Sequence, residues 1–445
     1  MLRRIQILVI AAILVVAAFS TGLPFLFYLV YLGVLVVGGS YVLTRLGLAD
    51  LEAGYAVNAL SGRVGEKLRV TYTLRNTSRI LKPWLEIHNP TSLPGNLPGR
   101  AISLGGGTER SWLIRTPLTR RGHFRIEPLQ IRTGDPFGFF ESSAAVGRGV
   151  AVVVYPRIEP IPLWKLPPAS IEGSHASPER TLQTTPLATG IRPYAPGDSM
   201  NRIHWKSTAR HGEIQVKEFD LEQTADAWIV LDLQRSVQVG DGDESTVEAA
   251  VRVAAAVADK ALLENRAVGM TVAAHRTAYL PADRGGRQHL KIMQMLAAVD
   301  GDGATPLVET LVSSMGRIRR GMTVVVITPS LERDWLKPLA NLRTRGVGSV
   351  VVTFDVAAFD RFRRERRDPV DPRGLADALG SWAAPVPPAS PRSPVSPRAP
   401  TSAADRDLDG LRAQRFRAVH HGLAEYDIRY HTVVPGRPLA ELLHS

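Results

Sequence analysis

The chain has 445 residues, 44% hydrophobic and 22% charged, which suits two or three folded domains. It has no cysteine, so disulfides, thiol nucleophiles and Cys-ligated metals are excluded. The formal charge of +12 points to an anionic partner. The clusters at Arg361, Arg363, Arg364, Arg366 and Arg367 and at Arg412, Arg415 and Arg417 lack interleaved aromatic residues, so lipid headgroups are expected there and nucleic acid is not.

Ile5–Phe19 and Leu23–Leu43 are free of charge, and each approaches the roughly 20 residues that cross a bilayer as a helix. Ser20-Thr21-Gly22 leaves room only for a turn, so residues 1–48 are expected to form a transmembrane helical hairpin. Arg3, Arg4 and Arg45 flank the pair and the turn is uncharged. The positive-inside rule then makes this a multi-pass inner-membrane protein with its soluble domains in the cytoplasm. A signal peptide is not expected, because no small-residue cleavage site follows the first run.

Residues 51–160 read as an all-β, sandwich-like domain. Lys67–Leu74 alternates polar and apolar residues, the period of a half-buried strand. Further strands are expected at Trp84–His88, Ser111–Thr116, Phe124–Ile131 and Ala151–Tyr155, separated by Gly and Pro turns. Residues 161–222 form a connector that becomes strongly patterned from Gly190. From 223 to 360 apolar strands alternate with helices, which predicts a mainly parallel α/β sheet covered on both faces. The Pro/Ser/Arg-rich stretch 361–409 cannot bury enough apolar surface to order itself and reads as a disordered insertion. Residues 410–445 then complete the α/β domain.

The densest run of unusual residues is GIRPYAPGDSMNRIHWKSTARHGEIQVKEF, Gly190 to Phe219. Pro196-Gly197 suits a tight turn, and Asp198 is placed to cap the helical run that follows. Tyr194 and Trp205 offer large apolar faces, and Arg192, Lys206 and Arg210 supply cations. One reading is a folded connector in which Asp198 caps, the arginines pair and Trp205 packs. The other is an anion-binding or partner-docking patch. His204 and His211, near Asp198 and Ser207, also admit an envelope-associated hydrolase or transferase, but no nucleophile stands against an oriented base. No catalytic residue is therefore assigned.

This run closely resembles the signature of the bacterial domain-of-unknown-function 58 family. GDPFGFF at Gly134–Phe140 and Val154-Tyr155-Pro156 resemble two further marks of that family. The resemblance implies a membrane hairpin, a β-rich domain and a C-terminal domain similar to von Willebrand factor type A. It further implies a shared complex with a MoxR-type AAA+ ATPase and a transglutaminase-like membrane protein. The chain is then expected to act as an adaptor or scaffold and not as an enzyme.

In metal-binding members of the von Willebrand A fold, the first strand ends in D-x-S-x-S. The matching residues here are Asp232, Gln234 and Ser236, and Thr305 matches a threonine from a later loop. An amide replaces the first hydroxyl, and Thr328-Pro329-Ser330 stands where relatives offer an aspartate. The expectation is a degenerate Mg²⁺ site in which Asp232 hydrogen-bonds the following loop, with no other cofactor. Asp241, Asp243, Asp300 and Asp302 read as solvated turn residues.

Overall fold

The computed structural model describes residues 2–167, 190–195, 198, 200–218, 226–367 and 403–443. The chain divides into two units: Met1–Arg157 with Met293–Val299, and Ile158–Ile292 with Asp300–Ser445.

The first unit begins with helices α1 (Leu2–Thr21) and α2 (Pro24–Gly47), reversed at Gly22, whose φ of +66° suits a residue without a Cβ. Pro24 opens α2 where its missing N–H costs no hydrogen bond. Phe19 and Phe27 meet edge to face across the reversal, 5.3 Å apart. Both apolar runs are thus helical, as a helical hairpin requires. Among the described residues, only α2 is long and apolar enough to cross a membrane. Within α1 the described apolar stretch is Val9–Thr21.

Ten strands follow: β1 (Leu51–Val57), β2 (Ser61–Arg63), β3 (Lys67–Asn76), β4 (Lys82–His88), β5 (Arg100–Leu104), β6 (Glu109–Pro117), β7 (Gly122–Ile126), β8 (Leu129–Gly134), β9 (Glu141–Val146) and β10 (Val150–Tyr155). They form sheets ordered β1-β3-β6, β5-β4-β8-β9 and β2-β10-β7. Along β3, Leu68, Val70, Tyr72 and Leu74 are buried while Lys67, Arg69 and Thr71 face water. That inner row joins Leu85, Ile87, Leu129, Ile131, Val152 and Val154 in one core. The single strand expected over Phe124–Ile131 is two strands, β7 and β8. They part at Glu127-Pro128, where proline has no N–H to donate to a ladder.

The end of α2 is fastened to this β unit. Ser40, Thr44 and Gly47, one face of the helix at i, i+4 and i+7, are buried. A Cβ on Gly47 would lie 2.7 Å from Thr133 Cγ2, so only glycine permits this approach. Lys82 Nζ donates to the carbonyls of Leu46 (3.0 Å) and Ala49 (2.5 Å), satisfying acceptors at the helix end. In the GDPFGFF turn, Asp135 accepts from the backbone N–H groups of Phe137 (2.9 Å) and Phe140 (2.6 Å) and from the Ser40 side chain. The Phe140 ring meets Tyr41 edge to face at 5.6 Å.

The second unit holds the hairpin β11 (Gly190–Pro193) and β12 (Gln215–Glu218), enclosing the short helix α3 (Trp205–His211). A six-stranded sheet follows, made of β13 (Ala227–Asp232), β14 (Val268–Ala273), β15 (Thr277–Asp283), β16 (Thr323–Thr328), β17 (Gly348–Phe354) and β18 (Arg429–Val433). Its order is β15-β14-β13-β16-β17-β18; only β15 runs antiparallel. Every residue of β13, β14, β16 and β17 is buried, as continuous apolar strands between two layers require. The helices are α4 (Thr246–Leu263), α5 (Gly285–Ala298), α6 (Leu307–Ser314), α7 (Leu336–Thr344), α8 (Val356–Arg367), α9 (Ala403–Glu425) and α10 (Leu439–Leu442).

The disordered insertion expected over 361–409 is corrected at both ends. Helix α8 includes the first arginine cluster, and α9 begins at Ala403; residues 368–402 of that expectation lie outside the described residues. Buried Asp360 explains the ordering, since it accepts from Arg363 (2.7 Å), Arg364 (2.6 Å) and Arg412 (2.7 Å). Burial alone would raise its pKa, but the bonds from Arg412 and Arg364 outweigh it and hold the carboxyl below the ordinary range. These three cations are therefore committed inside the fold, whereas the sequence suggested lipid headgroups for them.

Candidate functional site

The sheet order places a crevice before any side chain is considered. From β13 the chain passes to β14 on one side, while β16 lies on the other, so the connections diverge at the carboxyl end of β13. In open α/β sheets ligands bind at such a divergence. Asp232 is the last residue of β13 and is fully buried.

Its carboxylate is already engaged. Oδ1 accepts from the Gln234 N–H at 3.0 Å, and Oδ2 accepts from the Thr328 hydroxyl at 2.6 Å. Burial pushes the carboxyl up to about 6, although both hydrogen bonds pull the other way; the Glu332 charge adds a smaller push upward. Gln234 does not present a free amide, because its Nε2 donates to Ser236 Oγ at 2.8 Å. The loop carrying Thr305 is drawn beside these residues at Gly303, which bridges Gln234 and exchanges bonds with Leu233 and Arg235. A Cβ on Gly303 would strike the carbonyl oxygens of Ala273 and Leu233, so glycine alone lets the loop close on the strand ends. Gln238 completes the wall, donating to the Asp232 carbonyl (3.0 Å) and accepting from Thr246 (2.7 Å).

This donor set does not fit a divalent ion. The Asp232 carboxylate spends both oxygens on protein donors, and the Gln234 amide is turned toward Ser236. Among the described residues, no group of three or more acidic or histidine side chains is placed to hold a metal. Asp300 and Asp302 accept from the N–H groups of Gly301 and His275, holding their own loop. Thr328 was the contributor that sequence reasoning missed. It was noted only as the residue replacing an acid, whereas its hydroxyl is the closest partner of Asp232. No local pattern pairs the two, because they stand 96 residues apart in sequence.

The signature run folds into a small, internally braced module. Arg192 grips Asp198 with two nitrogens, at 2.8 and 2.7 Å, and Asp198 also accepts from the Ala195 N–H at 2.9 Å. Asp198 thus closes a turn onto β11; Gly197 and Ser199, the first residue of the run it is expected to cap, lie outside the described residues. His204 caps α3, its Nδ1 accepting from the Ser207 N–H at 3.1 Å. The His204 N–H donates to the Gln215 carbonyl at 2.8 Å. Gly212, at φ +75°, ends α3 in the left-handed conformation. Asp198 is thus held by Arg192 and the Ala195 N–H, and the His204 ring by the Ser207 N–H.

What this bracing leaves in water is apolar. Trp205 is 68% exposed and Met200 67%, with Ile191, Tyr194 and Ile214 also exposed. The expectation that Trp205 packs is therefore corrected. Lys206 and Arg210 are exposed on the same short helix.

Residues 190–357 match the family model described as "Protein of unknown function DUF58". The chain is 24% identical over 359 residues to "Uncharacterized protein YeaD" of Bacillus subtilis, covering 78% of this chain and 85% of that one. It is 27% identical over 164 residues to "Uncharacterized protein Rv1480" of Mycobacterium tuberculosis, covering 35% of this chain and half of that protein's length. Among solved structures, the CARDB domain of PF1109 from Pyrococcus furiosus aligns with 24% of this chain and 92% of its own, at 14% identity and a TM-score of 0.18. Proximal thread matrix protein 1 of the mussel byssus aligns with 29% of this chain and 38% of its own, at 13% identity and a TM-score of 0.25.

Proposed function

We propose that this chain, whose residues 190–357 match the DUF58 family model, is a membrane-anchored docking protein that holds its α/β domain at the cytoplasmic face and recognises a protein partner there. The α/β domain is read as von Willebrand A-like: its order with one antiparallel edge strand and its strand-end loops around Asp232 support that reading. The partner is taken to be a MoxR-type AAA+ ATPase, the association that the resemblance implies, with a transglutaminase-like membrane protein as a further member of the complex. The chain acts by recognition and not by turnover.

The observation that carries this reading is the exposed apolar set on the signature module. A bidentate ion pair, a histidine cap and a glycine stop fix the backbone, yet Trp205 and Met200 are left in water. Removing a tryptophan from water contributes about 2–3 kcal/mol, and such anchors with a cationic rim dominate protein interfaces. Full-length protein crosslinked in its native membrane should co-purify with the ATPase. Trp205→Ala should weaken that association by about 2 kcal/mol, roughly 30-fold in affinity. Equal recovery of the ATPase with wild-type and Trp205→Ala protein would remove the proposal.

A further inference from the structure

The turn that fastens the β unit to α2 carries two aromatic rings that its bracing role does not require. Asp135 fixes the backbone through Phe137, Phe140 and Ser40, and the Phe140 ring is used against Tyr41. Phe137 and Phe139 stack on each other at 5.7 Å, and Phe137 remains 55% exposed. Trp84 flanks the same turn: a Cβ on Gly134 would lie 3.4 Å from its ring, and the residue is 42% exposed.

Helix geometry sets the height of this cluster. The 24 residues of α2 give a helix about 36 Å long, against a hydrocarbon core of about 30 Å. If the core takes roughly the first 20 residues from Pro24, the boundary falls at Ser40–Leu43, level with the turn. The side chains before it, Phe25, Tyr28, Leu32 and Leu35 among them, are exposed and apolar. The exposed charged group beyond it is a cation: Arg45, in the last turn of the helix. Apolar, then aromatic, then cationic is the sequence of layers that a helix meets on leaving a bilayer.

We infer that the Gly134–Phe140 turn is a lipid-contacting wedge, with Phe137 and Trp84 seated in the headgroup–acyl boundary beside the end of α2. Its partner is the phospholipid bilayer that covers α2 itself, so the inference rests on the membrane-anchored reading of that helix. The wedge and the helix are one continuous surface, joined at Ser40 and Tyr41. It places the β5-β4-β8-β9 sheet against the membrane surface, and leaves the outer face of β1-β3-β6 in water.

The absence of native cysteine makes the test direct. Full-length Phe137→Cys, Trp84→Cys, Leu32→Cys and Thr71→Cys proteins would each carry a nitroxide label in vesicles of phosphatidylethanolamine and phosphatidylglycerol. Collision rates with dissolved oxygen and with a water-soluble nickel chelate then report depth. The label at 32 should strongly favour oxygen, that at 71 the chelate, and those at 137 and 84 should lie between. If 137 and 84 match 71 while 32 is deep, the wedge is wrong and the anchor stands. If 32 is also water-like, both readings fall. Two wedge positions are used so that misfolding of one variant does not decide the result.

Discussion

Asp232 shows how one residue can keep the form of a ligand site while serving another purpose. Its carboxyl titrates near 6 because it is buried, and the bonds from Thr328 and Gln234 do not compensate. A carboxyl raised in the folded state favours folding below its unfolded value near 4, and that contribution is lost as pH rises through about 6. A shift of about two units corresponds to about 3 kcal/mol, a loss that should develop between about pH 4 and pH 7. Asp232→Asn keeps an acceptor for the Gln234 N–H and can donate to Thr328 Oγ1. Urea melts of the full-length protein at pH 5 and pH 7.5 should therefore show a smaller stability gap for Asp232→Asn than for wild type. A variant less stable than wild type at pH 7.5 would mean that the charged carboxylate has a counter-ion there.

At the level of elements, the join between α2 and β8 is a close contact that a single methyl can probe. Gly47→Ala forces a Cβ against Thr133, and overpacking of this kind costs about 1–3 kcal/mol. Thr133→Ala in the same chain should recover part of that loss, so the two changes should be non-additive in a thermal-melting cycle. Additive losses would show that the join relaxes freely. Much of the architecture was legible at this scale. Continuous apolar runs such as Thr323–Thr328 matched their strands, and the alternation in Lys67–Leu74 marked the inner row of β3. The edge strands β1, β5, β9 and β15 were not legible, because their partly exposed residues carry little periodic signal. Helix α8 was misread because arginines at i+3 and i+4 from Asp360 resemble a solvated charge run until their shared acceptor is known. In the candidate site, Asp232 could be found from its strand-end position. Its bond to Thr328 could not, since 96 residues separate them in sequence.

For the whole molecule, the charge of +12 and the arginines flanking the apolar helices give the anchor its expected direction. Trypsin added to inverted inner-membrane vesicles should digest residues 51–445, while the same protease outside intact spheroplasts should leave them whole; the reverse pattern would overturn the cytoplasmic assignment. The fastening of α2 bears on orientation as well as attachment. Glycine contact, lysine cap and aspartate-braced turn grip the helix at successive levels of its last two turns, so the β unit has no swivel about that end. Any lean the helix adopts to match bilayer thickness must then be passed on as a lean of the β unit, much as a mast passes its rake to whatever is bolted to its head. On the membrane-anchored reading proposed above, lipid composition would thereby become a steering input to the soluble half of this unit, with no ligand required.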